Sequence, residues 1–176
     1  DPAEAEQWAA LARFLAKTLN DVALAPQRTI FYYTLGAEVW KQTATFPLPN
    51  TEMQAWYFHG DNRLAPKMPA DEGGCDTYQV DFGATTGTGN RWHTELARPV
   101  VYPDRAQADR RLLTYTSAPL VQELEITGYP VVTLQVASSA EDGAFFVYLE
   151  EVDEAGVVRY LSEGMLRGLH RKLSDE

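Results

Sequence analysis

Apolar and polar positions along this chain change period once. In residues 3–19 the apolar residues recur at spacings of three and four, with Trp8, Leu11, Ala12, Leu15 and Leu19 forming a stripe that Phe14 widens. That spacing predicts an amphipathic helix, and Asn20-Asp21 followed by Pro26 supplies its stop. The helix either packs on the β-rich remainder or is the last helix of a preceding domain. Past it the chain turns to β-formers. Residues 29–35, TIFYYTL, are a dense run closed by Gly36, and Glu38–Gln42 opens a second segment ahead of Phe46-Pro47-Leu48-Pro49. Met53–Phe58 predicts a third strand, closed by His59-Gly60-Asp61-Asn62. Their Trp and Tyr residues suit a face packed between sheets, or one lining a groove.

From Leu112 to Lys172 the alternation is cleanest. Val132, Leu134 and Val136 face one way and Thr133, Gln135 and Ala137 the other, while Phe145, Val147 and Leu149 oppose Phe146, Tyr148 and Glu150. Turn signals fall at Ser117-Ala118-Pro119, Gly128-Tyr129-Pro130, Glu141-Asp142-Gly143, Glu154-Ala155-Gly156 and Glu163-Gly164. Short strands broken at that interval read as an antiparallel sandwich or barrel. Val132, Leu134, Val147 and Leu149 are then expected in its core, with glycines 128, 143, 156 and 164 at its turns.

Between these β-rich regions, residues 63–109 lose periodicity. Pro66, Pro69, Gly73-Gly74, Gly83, Gly87, Gly89 and Pro99 interrupt them, leaving one short alternating run at Tyr78–Phe82. So long an irregular excursion is unusual in a compact domain unless it is functional or held down. Trp92, Val100, Val101 and Tyr102 offer apolar anchors, so it is expected to lie ordered over a surface.

The chain has a one-domain length of 176 residues. A net charge of −10 argues against a nucleic-acid partner, which would need clustered Lys and Arg. No apolar run approaches a membrane span. Cys75 stands alone, which excludes an internal disulfide and fits either redox compartment. The start at Asp1-Pro2, without Met or a leader, is expected of a processed or trimmed piece.

Candidate chemistry is sparse. His59, His93 and His170 lack paired ligand spacing, and with a single Cys they do not read as a zinc site. Asp71, Glu72, Asp76 and Asp81 do not follow the EF-hand order. Thr85-Thr86-Gly87-Thr88-Gly89-Asn90 lacks the Gly-Lys-Ser/Thr ending of a phosphate loop. Ser117, Ser138, Ser139, Ser162 and Ser174 are not set in a Gly-x-Ser-x-Gly elbow. The expectation is no catalytic residue, no cofactor and no metal site.

The order of landmarks nevertheless resembles a family. Arg13-Phe14-Leu15, YYTLGAEVW over 32–40 followed by FPLP, LLTYTSAPL over 112–120, LEITGYPVVTLQVASSAEDGAFFVYLEEV over 124–152 and SEGMLRGLHRKL over 162–173 are together similar to the carboxy-terminal β-domain of the cocaine esterase/X-Pro dipeptidyl-peptidase-like (CocE/NonD) hydrolases. Two places depart from it: Tyr78 is followed by VDFGATTG rather than a Pro-containing stretch, and Glu154-Ala155-Gly156 replaces an Asp-Gly turn. The resemblance implies a mainly β fold, a jelly-roll or galactose-binding-like antiparallel sandwich with an N-terminal helix. It implies residues 1–26 as a linker helix from an α/β-hydrolase domain and 27–176 as the β-domain. The triad of that serine hydrolase, of ester, amide or X-Pro dipeptidyl-peptidase type, would lie outside these residues, and this portion would support the active-site cap and substrate pocket. The jelly roll would continue past Gly164–Arg171, so the β-domain is expected to be incomplete here, with missing strands supplied in cis or by a second chain; an oligomer is also compatible. The competing class is a stand-alone ligand- or carbohydrate-binding module.

Overall fold

The computed structural model describes residues 3–19, 29–70, 74–87, 89, 93, 100 and 102–172. The fold is mainly β, with strands chiefly in antiparallel sheets and one long helix. Two compact units arise, Asp1–Met53 with Leu124–Tyr129, and Gln54–Glu123 with Pro130–Glu176.

The first unit opens with α1 (Glu4–Leu19), the helix predicted by the three-and-four spacing. Glu4 and Glu6 in its first turn and Lys17 in its last complement the helix dipole. The Glu6 carboxylate accepts the Ala3 N–H at 3.2 Å, closing one orphan donor as a capping box does. Trp8 Nε1 donates to Glu4 one turn back at 3.1 Å. The apolar stripe through Trp8, Leu11, Phe14, Leu15 and Leu19 is exposed. The predicted stop at Asn20, Asp21 and Pro26 lies outside the described residues.

β1 (Ile30–Thr34) and β2 (Val39–Thr43) pair as an antiparallel hairpin. Its four-residue turn needs a left-handed backbone at Gly36, φ +82°, a conformation glycine adopts without a Cβ penalty. Tyr33 and Trp40 are direct cross-strand partners, with ring centroids 5.2 Å apart. Leu124–Tyr129 belongs to this unit: Glu125 accepts from the Lys41 ammonium, and Tyr129 meets Phe46 edge-on at 5.2 Å.

In the second unit β3 (Tyr57–His59) and β4 (Arg63–Ala65) form a tight hairpin, turned by Asp61 and Asn62 at φ +59° and +57°. Asp and Asn are the side chains that tolerate this region best. The predicted strand at 53–58 is therefore displaced toward its C-terminal end. β5 (Thr116–Ser117) adds to β4 in parallel. A single turn, α2 (Ala106–Asp109), closes the irregular excursion.

The dominant element is the hairpin of β6 (Ala144–Val152) and β7 (Val158–Arg167). Asp153 shapes its turn: its side chain accepts the Ala155 and Val157 N–H groups, both at 2.9 Å. Gly156 follows at φ +81°. The register slips between Leu149 and Glu150, because Ser162 faces the first and Tyr160 the second. Leu161 is the extra residue of a β-bulge.

Three expectations are corrected here. Glu163-Gly164 is not a turn: Gly164 lies inside β7 opposite Val147, with open space where a Cβ would stand. Residues 131–137 form neither strand nor helix, and Val132 and Leu134 are both 44% exposed rather than core. Alternation describes where side chains point along one strand, whereas a ladder needs a neighbour to exchange hydrogen bonds with, and none pairs with this run among the described residues. The LLTYTSAPL run contributes only the two residues of β5. Val147 and Leu149, by contrast, are half-buried.

The buried apolar side chains among the described residues are Val158 and Tyr160, 8% and 9% exposed. Truncating Val158 to Ala is expected to cost about 2 kcal/mol, and Leu134→Ala less than about 1 kcal/mol, since only buried methyl groups leave a cavity. Urea unfolding of the two variants side by side checks this order.

Candidate functional site

One face of the β6–β7 hairpin carries Tyr148, Glu150, Val158, Tyr160 and Glu163, as the cross-strand pairs Glu150–Tyr160 and Tyr148–Glu163 require. Residues 102–109 lie on it. The backbone of Arg105 donates to the Val158 carbonyl at 3.0 Å, and the Asp104 carboxylate accepts the Val158 N–H at 2.9 Å and that of Ala106 at 3.0 Å. Those two N–H donors hold the Asp104 carboxyl below its ordinary value of 3.8. Tyr102 stacks on Tyr160 with centroids 4.6 Å apart.

At the centre Arg105 is 5% exposed. Its Nε donates to Glu150, its Nη2 lies 3.5 Å from Asp109 one helical turn on, and the guanidinium sits 4.3 Å above the Tyr148 ring. Carboxylate, carboxylate and aromatic face together satisfy a cation that would otherwise be costly to bury. Burial pushes the Glu150 carboxyl above its usual range; Arg105 opposes that shift, and the Asp109 charge adds to it.

Beside this centre is a cleft of about 170 Å³ lined by Gly83, Ala84, Thr85, Ala108, Arg111, Leu112 and Tyr148. Arg111 grips Asp81 through two hydrogen bonds, at 2.6 and 2.7 Å, and reaches the Gly83 carbonyl at 2.8 Å. Arg111, and then the Gly83 N–H, lower the Asp81 carboxyl. A Cβ on Gly83 would stand 2.2 Å from Arg111 Nη2, so glycine is what lets this fork close. The Tyr148 hydroxyl meets Thr86 at 3.0 Å.

Residues singled out from sequence take structural places. His59 Nε2 lies 2.7 Å from the Lys67 carbonyl and so must carry the proton, leaving Nδ1 to accept from Arg63 at 3.2 Å; the tautomer follows from the partners. Asp76 accepts the Tyr115 hydroxyl at 2.5 Å. Partial burial, then that bond, pushes the phenol up to about 12. Ser117 is in β5 and Ser162 in β7, neither on a strand-to-helix turn, while Ser138 caps the Ala140 N–H at 3.0 Å. Asp71, Glu72 and Ser174 lie outside the described residues. Among the described residues no three His, Cys, Asp or Glu side chains gather as metal ligands would. The anchors expected for the excursion fall partly in place: Tyr102 stacks and Val100 is half-buried, while Trp92 and Val101 lie outside the described residues. Sequence reasoning passed over Arg105. The available signal was Glu150, a carboxylate that follows the apolar run AFFVYL within the same strand.

The site holds a loop on a sheet, with its central charges committed to one another. The family described as the X-Pro dipeptidyl-peptidase C-terminal non-catalytic domain matches residues 20–176. The chain belongs to that family. Two curated relatives, each named "Putative serine esterase", come from Mycobacterium bovis and Mycobacterium tuberculosis. Each is 45% identical over 157 residues, 88% of this chain and 25% of the relative. This X-Pro dipeptidyl-peptidase C-terminal-type domain thus spans about a quarter of the length of the curated relatives it matches. No solved structure matches it.

Within this domain, Arg105→Ala would leave the Glu150 and Asp109 carboxyls buried without their cation. The expected loss is about 3 kcal/mol of stability, read from urea or thermal unfolding. Arg105→Lys is expected to recover only part of it, because an ammonium cannot serve two carboxyls and an aromatic face with a planar fork.

Proposed function

We propose that this chain is the non-catalytic β-domain portion of a serine hydrolase, one that cleaves an ester, amide or X-Pro peptide bond in a separate α/β-hydrolase domain. The observation that carries this reading is the family match over residues 20–176, together with relatives named as serine esterases of which this chain covers a quarter. In such an enzyme a serine attacks the acyl carbonyl, a histidine takes its proton, and an acyl-enzyme forms and is hydrolysed. The role assigned to the present residues is to support the active-site cap and to shape the acyl or leaving-group pocket. Residues 1–26 are then the linker helix, which accords with an apolar stripe on α1 that is exposed here. Residues 27–176 belong to a jelly-roll, galactose-binding-like sandwich, with the hydrolase domain and further strands as partners in cis or as a second chain.

A fluorophosphonate probe tests the assignment on the full polypeptide that carries this chain. The probe is expected to label a serine outside residues 1–176, and replacing that serine is expected to abolish turnover of an activated ester or an X-Pro amide. Single Ala replacements at Ser117, Ser138, Ser139, Ser162 and Ser174 are expected to leave kcat unchanged. Labelling of one of those five, or no serine labelling beside a measured affinity for carbohydrate, would overturn the reading in favour of a self-contained module.

A further inference from the structure

At the open end of the β6–β7 hairpin, Asp142 and Gly143 lead into Ala144, and the end of β7 returns beside them as Arg167 and Gly168. Arg167 Nε donates to Asp142 Oδ2 at 2.6 Å, and the Gly168 N–H donates to the Gly143 carbonyl at 2.7 Å. The fit is close, since a Cβ on Gly168 would stand 3.4 Å from that carbonyl oxygen and 3.5 Å from Asp142 Oδ1. Asp142-Gly143 is also the one Asp-Gly step in the sequence, which has no Asn-Gly. A backbone amide that follows aspartate can close a ring on the aspartate carboxyl, and glycine hinders that closure least. Here the Gly143 nitrogen is 2.9 Å from Asp142 Oδ1, so nucleophile and carboxyl already lie side by side. Both residues are exposed, and nothing lies within 4 Å of where a Cβ on Gly143 would stand. Arg167 opposes the closure. A carboxylate is a poor acyl electrophile, because its departing oxygen must be protonated before it leaves as water. Arg167 foremost holds the Asp142 carboxyl below its ordinary value of 3.8.

We propose that Asp142-Gly143 is a site of spontaneous backbone isomerisation, that Arg167 restrains its rate, and that isomerisation releases the open end of the hairpin. The Gly143 nitrogen attacks Asp142 Cγ and gives up its proton to water. One carboxyl oxygen is protonated and leaves as water, and a succinimide remains. Water then opens the ring. Addition at Cγ restores aspartate, whereas addition at the Asp142 backbone carbonyl leaves the chain running through Cγ, as isoaspartate. One water leaves and one enters, and nothing is oxidised or reduced. The isomer has one more methylene in its backbone, and its carboxylate now stands on Cα. That shift draws the carboxylate away from Arg167 and the Gly143 carbonyl away from the Gly168 N–H, two contacts that fasten the end of β7 to the start of β6.

In the full polypeptide, held at neutral pH and physiological temperature, isoaspartate is expected to accumulate at residue 142. Peptide mapping with isoaspartyl methyltransferase labelling reads it, and in oxygen-18 water each passage through the ring leaves one labelled oxygen. Arg167→Gln is expected to speed accumulation by up to about fivefold, the most that an exposed ion pair holds back. Arg167→Lys is expected to restore much of the slow rate. Sodium chloride added to the parent protein screens the same pair and is expected to speed accumulation as well, which keeps the test open if Arg167→Gln does not fold. Gly143→Ala is expected to suppress the isomer, because a side chain there crowds the attacking nitrogen. The isomerised fraction is expected to lose hydrogen-exchange protection at the Gly168 N–H. Residue 142 remaining aspartate without labelled oxygen in both parent and Arg167→Gln overturns the proposal. So does a rate that neither the substitution nor salt changes, or Gly168 protection that survives isomerisation.

Discussion

Fixing an irregular stretch of chain costs about 1–2 kcal/mol of backbone entropy per residue, and the described residues between β4 and β5 join no strand ladder that would offset it. What they have is a set of side-chain tethers. Asp76 ties to Tyr115, Asp81 to Arg111, Thr86 to Tyr148, Tyr102 to Tyr160 and Arg105 to Glu150. The last matters most, because the others sit nearer to water, where an ion pair or hydroxyl contact contributes little net. A buried guanidinium tolerates few alternative positions. Once its fork and its ring partner are engaged, the backbone on either side has little freedom, and the Arg105 and Val158 backbone groups meet as a consequence.

That arrangement depends in turn on a single inserted residue. In an unbroken strand Tyr160 and Glu163, three apart, would point to opposite faces. Leu161 bulges out, so Glu150 faces Tyr160 and Tyr148 faces Glu163 on one surface. Without the bulge, the register that brings Tyr148, Glu150 and Tyr160 together would place Glu163, Met165 and Arg167 on the reverse face. Bulges re-aim side chains in this way, and here the re-aimed surface is the one that receives residues 102–109.

Strong local signals made part of this legible from the residues alone. α1 has a stripe at helical spacing and acidic residues in its first turn, β1 and β2 flank a glycine turn, and the alternation from Phe145 onward marks β6. Each of those signals lives within one segment. The misreadings are relational. Residues 131–137 alternate as well as β6 does, yet no described strand lies beside them, and Gly164 resembles a turn residue until Val147 is seen opposite it. Arg105 was illegible for the same reason: forty-five positions separate it from Glu150, and neither residue's neighbours announce the other. The absence of an elbow around any serine, by contrast, is a property of short words and could be read directly.

The distribution of polar and apolar surface bears on what such a domain contributes. Several of its described charges are spent on one another, in Lys41–Glu125, Arg111–Asp81, Arg159–Asp153 and Arg167–Asp142. Side chains so engaged have limited capacity to activate a nucleophile or stabilise a developing charge, which needs groups aimed at a reacting atom. The apolar groups are the reverse: the α1 stripe and Val131, Val132, Leu134 and Val136 remain exposed. Removing such surface from water is worth roughly 25 cal/mol per Å², whereas an exposed ion pair adds at most about 1 kcal/mol. The free energy this domain can still release therefore lies in apolar contact. That favours a part played through shape and adhesion to a neighbouring body over one played through its own reactive groups, as the proposed place beside a hydrolase domain requires.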